Sequence, residues 1–285
     1  MSGSVLPENI CGACDSHVHL FMPDIFPYAS DRRYTPASAT LIDLAAHNAL
    51  LGVTYNVLVQ PSCYGTDNRA LCHGLTVLGF DRARGVVVID VDHVTDEELR
   101  ALHLKGVRGI RLNLSVSGQG DIARIRAEMD RAAERIGPLG WHIQIFASPT
   151  QLALLLPLIR DSKVPVVLDH FAGGVALVDE VTELLRRPDI WIKLSAPSRV
   201  SDASGYEGLA GVVKRLVSVA PDRLIWASDW PHTGGHGRRT GSVEDIEPFA
   251  AIDDRQDFQR LAGWIDNGEL LRRILTTNAY ALYDF

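Results

Sequence analysis

Four cysteines in 285 residues, Cys11, Cys14, Cys63 and Cys72, are too few to staple a chain of this length, so no disulfide framework holds it together. Cys11 and Cys14 form a C-x-x-C, but a four-thiolate zinc site needs a second such pair, and Cys63 and Cys72 are nine apart. No apolar run reaches the ~18 residues that cross a bilayer. The opening MSGSVLPENICGA lacks both the basic start and the apolar stretch of a secretory signal. Positive charge is not in excess either. With 28 Lys and Arg against 35 Asp and Glu, the formal charge is −7, and no basic stripe is available to neutralise a nucleic-acid backbone. Short-period repeats and low-complexity segments are missing too. These absences point to a cytoplasmic globular protein with reduced thiols, whose partner is neither nucleic acid nor membrane. Hydrophobic residues at 46% and charged ones at 22% supply the material for a large core.

What the chain does have is a rhythm. Short apolar runs recur as ACDSHVH (13–19), TYNVLVQ (54–60), GVVVID (85–90), GIRLNL (109–114), WHIQIF (141–146), VPVVLDH (164–170), IWIKL (190–194) and LIWASD (224–229). Most are apolar nearly throughout, as parallel strands buried on both faces require. Between them lie segments of helical spacing, such as 39–52, 95–106, 121–137 and 176–187. Several open on a capping residue, Thr95 or Asp121, and close on a glycine, Gly52, Gly106 or Gly137. Eight strands alternating with helices predict a single-domain (β/α)8 TIM barrel over residues 1–285. An open doubly wound sheet is the alternative, but the G-x-G-x-x-G that usually follows its first strand is absent.

A barrel of this kind draws its chemistry from the C-terminal ends of its strands, and here those ends are polar. The first run ends in His17 and His19, which share a face at a spacing of two. The second ends in Gln60 and continues into PSCYGTDN. The fourth carries Arg111 and Asn113, the fifth Gln144, the sixth Asp169 and His170, and the eighth Asp229. One convergent site is expected. His142 starts its strand, at the opposite end of the barrel, and reads as structural. His47, His73 and His103 fall on helices and read as packing or surface residues. Residues 230–248, rich in glycine and charge, predict a long loop at the barrel mouth.

The ordered set DSHVHLF, VQPSCYGTDN, GVRGIRLN, GWHIQIF, VVLDHFAG, DIWIKLSAP and LIWASDWPH resembles the amidohydrolase superfamily over nearly the whole chain. It is most similar to the amidohydrolase 2 branch, which contains the 2-pyrone-4,6-dicarboxylate lactonases and related sugar-lactone hydrolases. The superfamily's binuclear metal pattern adds a carboxylated lysine on strand 4 and a histidine on strand 5. This chain has Arg111 and Asn113 at the one and Gln144 and Phe146 at the other. His17, His19, His170 and Asp229 remain a possible ligand set for a single Zn²⁺. The lactonase branch, by resemblance, needs no metal.

The resemblance implies hydrolysis of a small anionic lactone. Asp229 would be the general base, and His17, His19 and His170 would polarise the carbonyl. Arg111 and Arg199 suit a carboxylate, since a guanidinium fork meets both oxygens in plane. Arg108, three residues before Arg111, falls on the opposite strand face and is expected to pair outside the barrel. Ser62, Tyr64, Thr66, Gln144 and His232 complete the expected substrate contacts. The lactonase pattern has further arginines where this chain has Ser117 and the Gly173–Gly174 pair, and a tyrosine where Phe146 stands. A lactone with one carboxylate, or a sugar-acid lactone, therefore competes with the pyrone dicarboxylate. A metal-dependent decarboxylase of the same branch and a lactone isomerase are the alternative activities.

Overall fold

The apolar runs fold as eight parallel strands in a computed structural model that describes residues 10–113, 122–201, 205–234 and 241–285. The strands are β1 (Cys14–Val18), β2 (Tyr55–Val59), β3 (Ala83–Val87), β4 (Val107–Asn113), β5 (His142–Phe146), β6 (Val166–Leu168), β7 (Ile190–Ser195) and β8 (Leu224–Ala227). Each pairs with the next in chain order. The seam between β8 and β1 closes through a Val18–Trp230 bridge, with His19 N–H donating to Trp230 O at 2.9 Å and Asp229 N–H to His17 O at 3.0 Å. The result is the expected (β/α)8 TIM barrel. Strand limits match the sequence expectation to within two residues, except β3, which ends at Val87 and not at the expected Asp90.

Helices α1 (Leu41–Leu51), α2 (Arg69–Leu78), α3 (Asp96–Leu104), α4 (Ile122–Ile136), α5 (Pro149–Arg160), α6 (Val178–Leu184) and α7 (Leu209–Val219) alternate with the strands. Three more, α8 (Asp254–Ile265), α9 (Gly268–Leu275) and α10 (Thr277–Tyr283), follow β8. Reciprocal capping boxes start three of them, Thr40 with Asp43, Thr95 with Glu98 and Ser148 with Gln151. Gly52, at φ +82°, stops α1 in the left-handed conformation that glycine adopts most readily. No helix among the described residues is long and apolar enough to cross a membrane. All four cysteines are free, with Cys14 buried and Cys11 exposed.

Outward strand residues such as Ile190, Ile192 and Leu194 are buried beneath the helices. Inside the barrel, Cys14, Val57, Val59, Val86, Val167 and Ile225 form a separate apolar plug, closed from below by Ala279 and Tyr283 of α10. His142 belongs to this floor, with its ring edge-on to Tyr283 at 5.4 Å. Arg108 turns outward and pairs with Asp284 at 3.1 Å. Gly109, opposite His142 in the sheet register, leaves the room this ring occupies. A Cβ at Gly109 would sit 2.5 Å from the imidazole. Gly109→Ala is therefore expected to cost about 1–3 kcal/mol through overpacking. Urea denaturation checks this, and a midpoint equal to that of the parent chain would show that His142 can retreat.

Candidate active site

The site begins with a defect in β1. Cys14 and His17 both face the barrel interior although they are three residues apart, because the pairing register shifts between Asp15 and Val18. A bulge of this kind re-aims the side chains that follow it. It sends His17 and His19 inward, and Asp15 outward to accept from the N–H of Ser228 at 2.9 Å. Three other strand ends bend sharply: His170 after β6, Ala196 after β7 and Asp229 after β8 all take positive φ, at +50°, +43° and +71°. Such backbone is costly for non-glycine residues and gathers where a side chain must be aimed.

The aimed groups converge. His17 Nε2 and His19 Nε2 lie 3.2 Å apart, and each is 3.5 Å from Asp229 Oδ1. His170 Nε2 is 4.0 Å from the same oxygen. Each ring is held from behind through Nδ1: His19 by Val59 O at 2.7 Å, His170 by Ser195 Oγ at 3.0 Å, and His17 by Asp169 Oδ1 at 3.3 Å. Arg199 Nε donates to Asp229 Oδ2, and its Nη2 to Thr233 O at 2.8 Å. Asp229 Oδ1 and His170 Nε2 are buried with no hydrogen-bond partner among the described residues.

Burial sets the charge states. It pushes His17 and His19 below the ordinary histidine range and His170 down to about 4, so the rings are neutral. Burial alone would raise the Asp229 carboxyl, but Arg199 and the imidazoles hold it well below the usual carboxylate range. Asp169 is likewise ionised, because Lys193 and His17 outweigh its burial. Lys193 is brought down to about 8 by burial, against the pull of Asp169.

An amidohydrolase family model matches residues 14–285. This chain belongs to that family. Over 95% of its length the amidohydrolase is 31% identical to 2-pyrone-4,6-dicarboxylate hydrolase of Comamonas testosteroni and 34% identical to 4-sulfomuconolactone hydrolase of Rhizobium radiobacter, in each case covering 90% of the relative. It also resembles the structure of a probable 2-pyrone-4,6-dicarboxylic acid hydrolase from Acinetobacter baumannii with citric acid bound. There the TM-score is 0.80 at 25% identity, over 96% of this chain and all of the other.

Of the residues singled out in the amidohydrolase sequence, the structure brings His17, His19, His170, Asp229, Arg111, Arg199 and His232 together. A cavity of about 150 Å³ lined by Phe146, Arg199, Asp229, His232, Thr233 and Ile252 opens beside Asp229. Arg111 is buried and donates to Gln60 O at 3.1 Å. Ser62 stands at the edge, its hydroxyl 3.5 Å from that of Tyr34, a phenol close enough to act on the charge of Arg111. His232 accompanies Asp254 at 2.9 Å.

Three expected substrate contacts fall elsewhere. Tyr64 is buried, and its hydroxyl accepts from Met22 N–H at 2.8 Å, because the short helical turn at Ser62–Tyr64 points the ring into the core. Thr66 lines a groove between α2 and α3. Gln144 is fully buried with both amide ends taken, the oxygen by Lys193 at 2.7 Å and the nitrogen by Asp169 at 3.0 Å. Ser117 lies outside the described residues. Gly173 has φ +85°, which strains any side chain placed there, and a Cβ would press on the Leu177 side chain at 2.9 Å. Phe146 packs edge-on to His170 at 5.0 Å and beneath both guanidinium groups, 5.8 Å from Arg111 and 5.7 Å from Arg199.

The residue that sequence reasoning passed over is Lys193. It has no exposure, and it stands among Gln144, His17 and Asp169. A lone charge inside the otherwise apolar IWIKL was the available signal. Asp169, quoted only as a strand end, is the anion on which this cluster turns. Asp15 and Asp254 flank His47, each with an oxygen 3.6 Å from its ring, and Trp230 stacks on it, so His47 packs behind the site.

The donor set also suits one metal ion. His17, His19 and Asp229 offer ligand atoms within 4.8 Å of one another, as do His17, Asp169 and His170. The Nδ1 contacts are those that orient metal-bound imidazoles, and the two buried unpartnered atoms point inward. Three imidazoles and a carboxylate fit a single Zn²⁺. With Arg111 on β4 and Gln144 on β5, the lysine and histidine of a binuclear pattern are missing.

Breaking the Asp169–Lys193 pair from one side strands a buried charge, so Asp169→Leu should cost about 3–5 kcal/mol. The double variant Asp169→Leu/Lys193→Met should be measurably more stable than Asp169→Leu in the same urea titration. Equal losses would show that the two charges are not coupled.

Proposed function

We propose that this amidohydrolase hydrolyses a small lactone carrying a negative charge, with Asp229 as general base and the imidazole cluster polarising the carbonyl. One observation carries the reading. Asp229 Oδ1 is buried, ionised and without a hydrogen bond among the described residues, and it faces three neutral imidazoles from a cavity wall. Asp229 removes a proton from water, and the oxygen of that water adds to the lactone carbonyl carbon. The ring C–O bond then breaks, and the proton returns to the leaving oxygen. The developing oxyanion is met by those imidazoles that carry hydrogen on Nε2. His19 is not one of them. Val59 O can only accept, so neutral His19 keeps its hydrogen on Nδ1 and presents a bare Nε2. His17 and His170 are the remaining donors. Zn²⁺ held by His17, His19, His170 and Asp229 would supply Lewis-acid polarisation of the same carbonyl. The proposed reaction does not require it.

The charge balance of the site supports an anionic substrate. Arg111, Arg199 and Lys193 bring three positive charges against two from Asp169 and Asp229, an excess of one. The relatives named above act on a pyrone dicarboxylate and a sulfonated muconolactone, and citrate occupies the Acinetobacter structure; all three ligands are small anions. The glycines at 173 and 174 and Phe146 in place of tyrosine favour a lactone with one anionic group over a dicarboxylate.

The deciding assay sets pyrone dicarboxylate, muconolactones and aldonolactones against the purified chain, with and without chelator. Hydrolysis of an anionic lactone that survives chelation is expected. Activity on none of them ends the lactonase reading, and activity lost to chelator and restored by Zn²⁺ ends the metal-independent one. Asp229→Asn should lower kcat by at least ~10³ while substrate binding stays measurable by calorimetry, in line with the loss of a general base and its electrostatic contribution.

The pH profile follows from the depressed pKa values. Neutral His170 and ionised Asp229 are the working forms, and both persist as pH falls until it passes their folded values. The acid limb of kcat/KM is expected near or below about 4, where His170 gains its proton. A limb centred on the ordinary histidine value of about 6.5 would contradict this assignment.

A further inference from the structure

We propose that Asp15 is a positioning residue for the general base. One of its oxygens ties the bulge of β1 to the turn after β8, and so sets where the Asp229 carboxylate stands against the imidazoles. The kinetic consequence rests on the lactonase reading; the tie itself does not.

The need for such a tie lies in the seam. Elsewhere in the barrel each strand pairs with its neighbour in a ladder. Between β8 and β1 the only bridge among the described residues is Val18–Trp230. The turn at residues 228–232 still has to place its backbone N–H groups. Asp229 N–H donates to His17 O at 3.0 Å, Trp230 N–H to Ser228 Oγ at 2.9 Å and His232 N–H to Asp229 O at 3.0 Å. Pro231 has none to place. That leaves Ser228 N–H, which donates to Asp15 Oδ1 at 2.9 Å.

The same oxygen accepts from His17 N–H at 3.2 Å, two residues along its own chain. A side-chain bond of this span is the Asx pattern, an alternative to the ladder that bends the backbone it closes. It falls within the register shift between Asp15 and Val18 that turns His17 and His19 inward. One oxygen therefore holds both the bulge that aims two imidazoles and the residue just before Asp229. Asp229 itself stands at φ +71°, which an aspartate keeps only where its surroundings enforce it. Without Asp15 two buried N–H groups lose their acceptor, and the turn lowers its energy by moving. Asp15 is fully buried on the outer side of β1, beside His47, so it acts through the backbone and not on the substrate.

The role needs only one oxygen. Oδ2 is buried without a hydrogen bond among the described residues and faces His47 Nε2 at 3.6 Å. Asparagine can take the place of this aspartate, with its carbonyl oxygen on the two N–H groups and its amide nitrogen toward the imidazole.

Variants at Asp15 test this, with kcat expressed per folded molecule. Asp15→Ala is expected to lower kcat on the anionic lactone about 10²-fold with KM nearly unchanged, the cost of misplacing a reacting group by ~1 Å. Asp15→Asn should bring kcat back to within about threefold of the parent chain. Amide hydrogen exchange of the nitrogen-15-labelled protein reads the same tie without any substrate. In the parent chain the His17, Ser228 and Asp229 amides should exchange as slowly as those of the central strands. All three should exchange faster in Asp15→Ala and slowly again in Asp15→Asn. A folded Asp15→Ala that keeps the parental kcat, or a slow Asp229 amide, overturns the proposal. So does an Asp15→Asn loss as large as that of Asp15→Ala, which would move the role to Oδ2. If Asp15→Ala does not fold, the parent chain and Asp15→Asn decide. Slow Ser228 exchange with kcat retained supports the tie, and fast exchange in either, or a ~10² loss in Asp15→Asn, overturns it. The expected exchange pattern in a protein that hydrolyses no lactone supports the tie and ends the lactonase reading. Hydrolysis alongside a fast Ser228 amide does the reverse.

Discussion

A carboxylate with no contact to water, Asp169, sits just under the reacting centre, and the upper barrel is organised around keeping it ionised. Removing such a group from water costs several kcal/mol unless charges and hydrogen bonds replace the solvent. Four strands supply the replacement: His17 from β1, Arg111 from β4, Gln144 from β5 and Lys193 from β7. Most barrels fill this layer with branched apolar side chains. Here an apolar plug of Val57, Val59, Val86, Val167 and Ile225 shares the barrel interior with the polar cluster, Val167 beside Gln144 and Ile225 beside Lys193 in the sheet register. The polar cluster holds His17 by its back edge, and through His17 it touches the chemistry.

The same residues close the barrel and line the site. The seam between β8 and β1 is made by backbone bonds of His17, His19, Asp229 and Trp230, so the imidazoles and the carboxylate that face each other are also joined through their main chains. Behind the seam, Asp15 accepts from Ser228 N–H and stands beside His47, which Trp230 stacks upon and Asp254 flanks. A site assembled this way costs no loop ordering at the moment of reaction, which is what preorganised electrostatics requires. The strained turns at His170, Ala196 and Asp229 are tolerated because the packing on both sides leaves them no alternative.

Much of the architecture was legible in the residues. Runs apolar on both faces can only be central strands, and their alternation with capped helical segments left the barrel as the consistent solution. The ends of those runs pointed to His17, His19, His170 and Asp229, because a titratable residue leaving a buried strand needs a reason. Loop residues were less legible. Tyr64 and Thr66 stand close in sequence to Ser62, yet a single turn of tight helix sends the tyrosine into the core and the threonine to another groove. Gln144 reads as a substrate contact, but both its amide ends are taken by Asp169 and Lys193, since alternation tells which face a residue takes and not what lies opposite.

The sequence by itself determined the period, the count of strands, the pole at which the polar groups gather, and the family. Those properties follow from local spacing and composition, which act within a few residues. Only the tertiary structure decided that Lys193, distant in sequence from His17, stands at its back edge, and that Arg199 is committed to Asp229. It likewise placed the metal-ligand-like histidines among partners that can support either proton arrangement. These are matters of distance across a closed barrel. Electrostatic and hydrogen-bond energies change steeply over a single ångström at that range, and no periodicity in a chain records them.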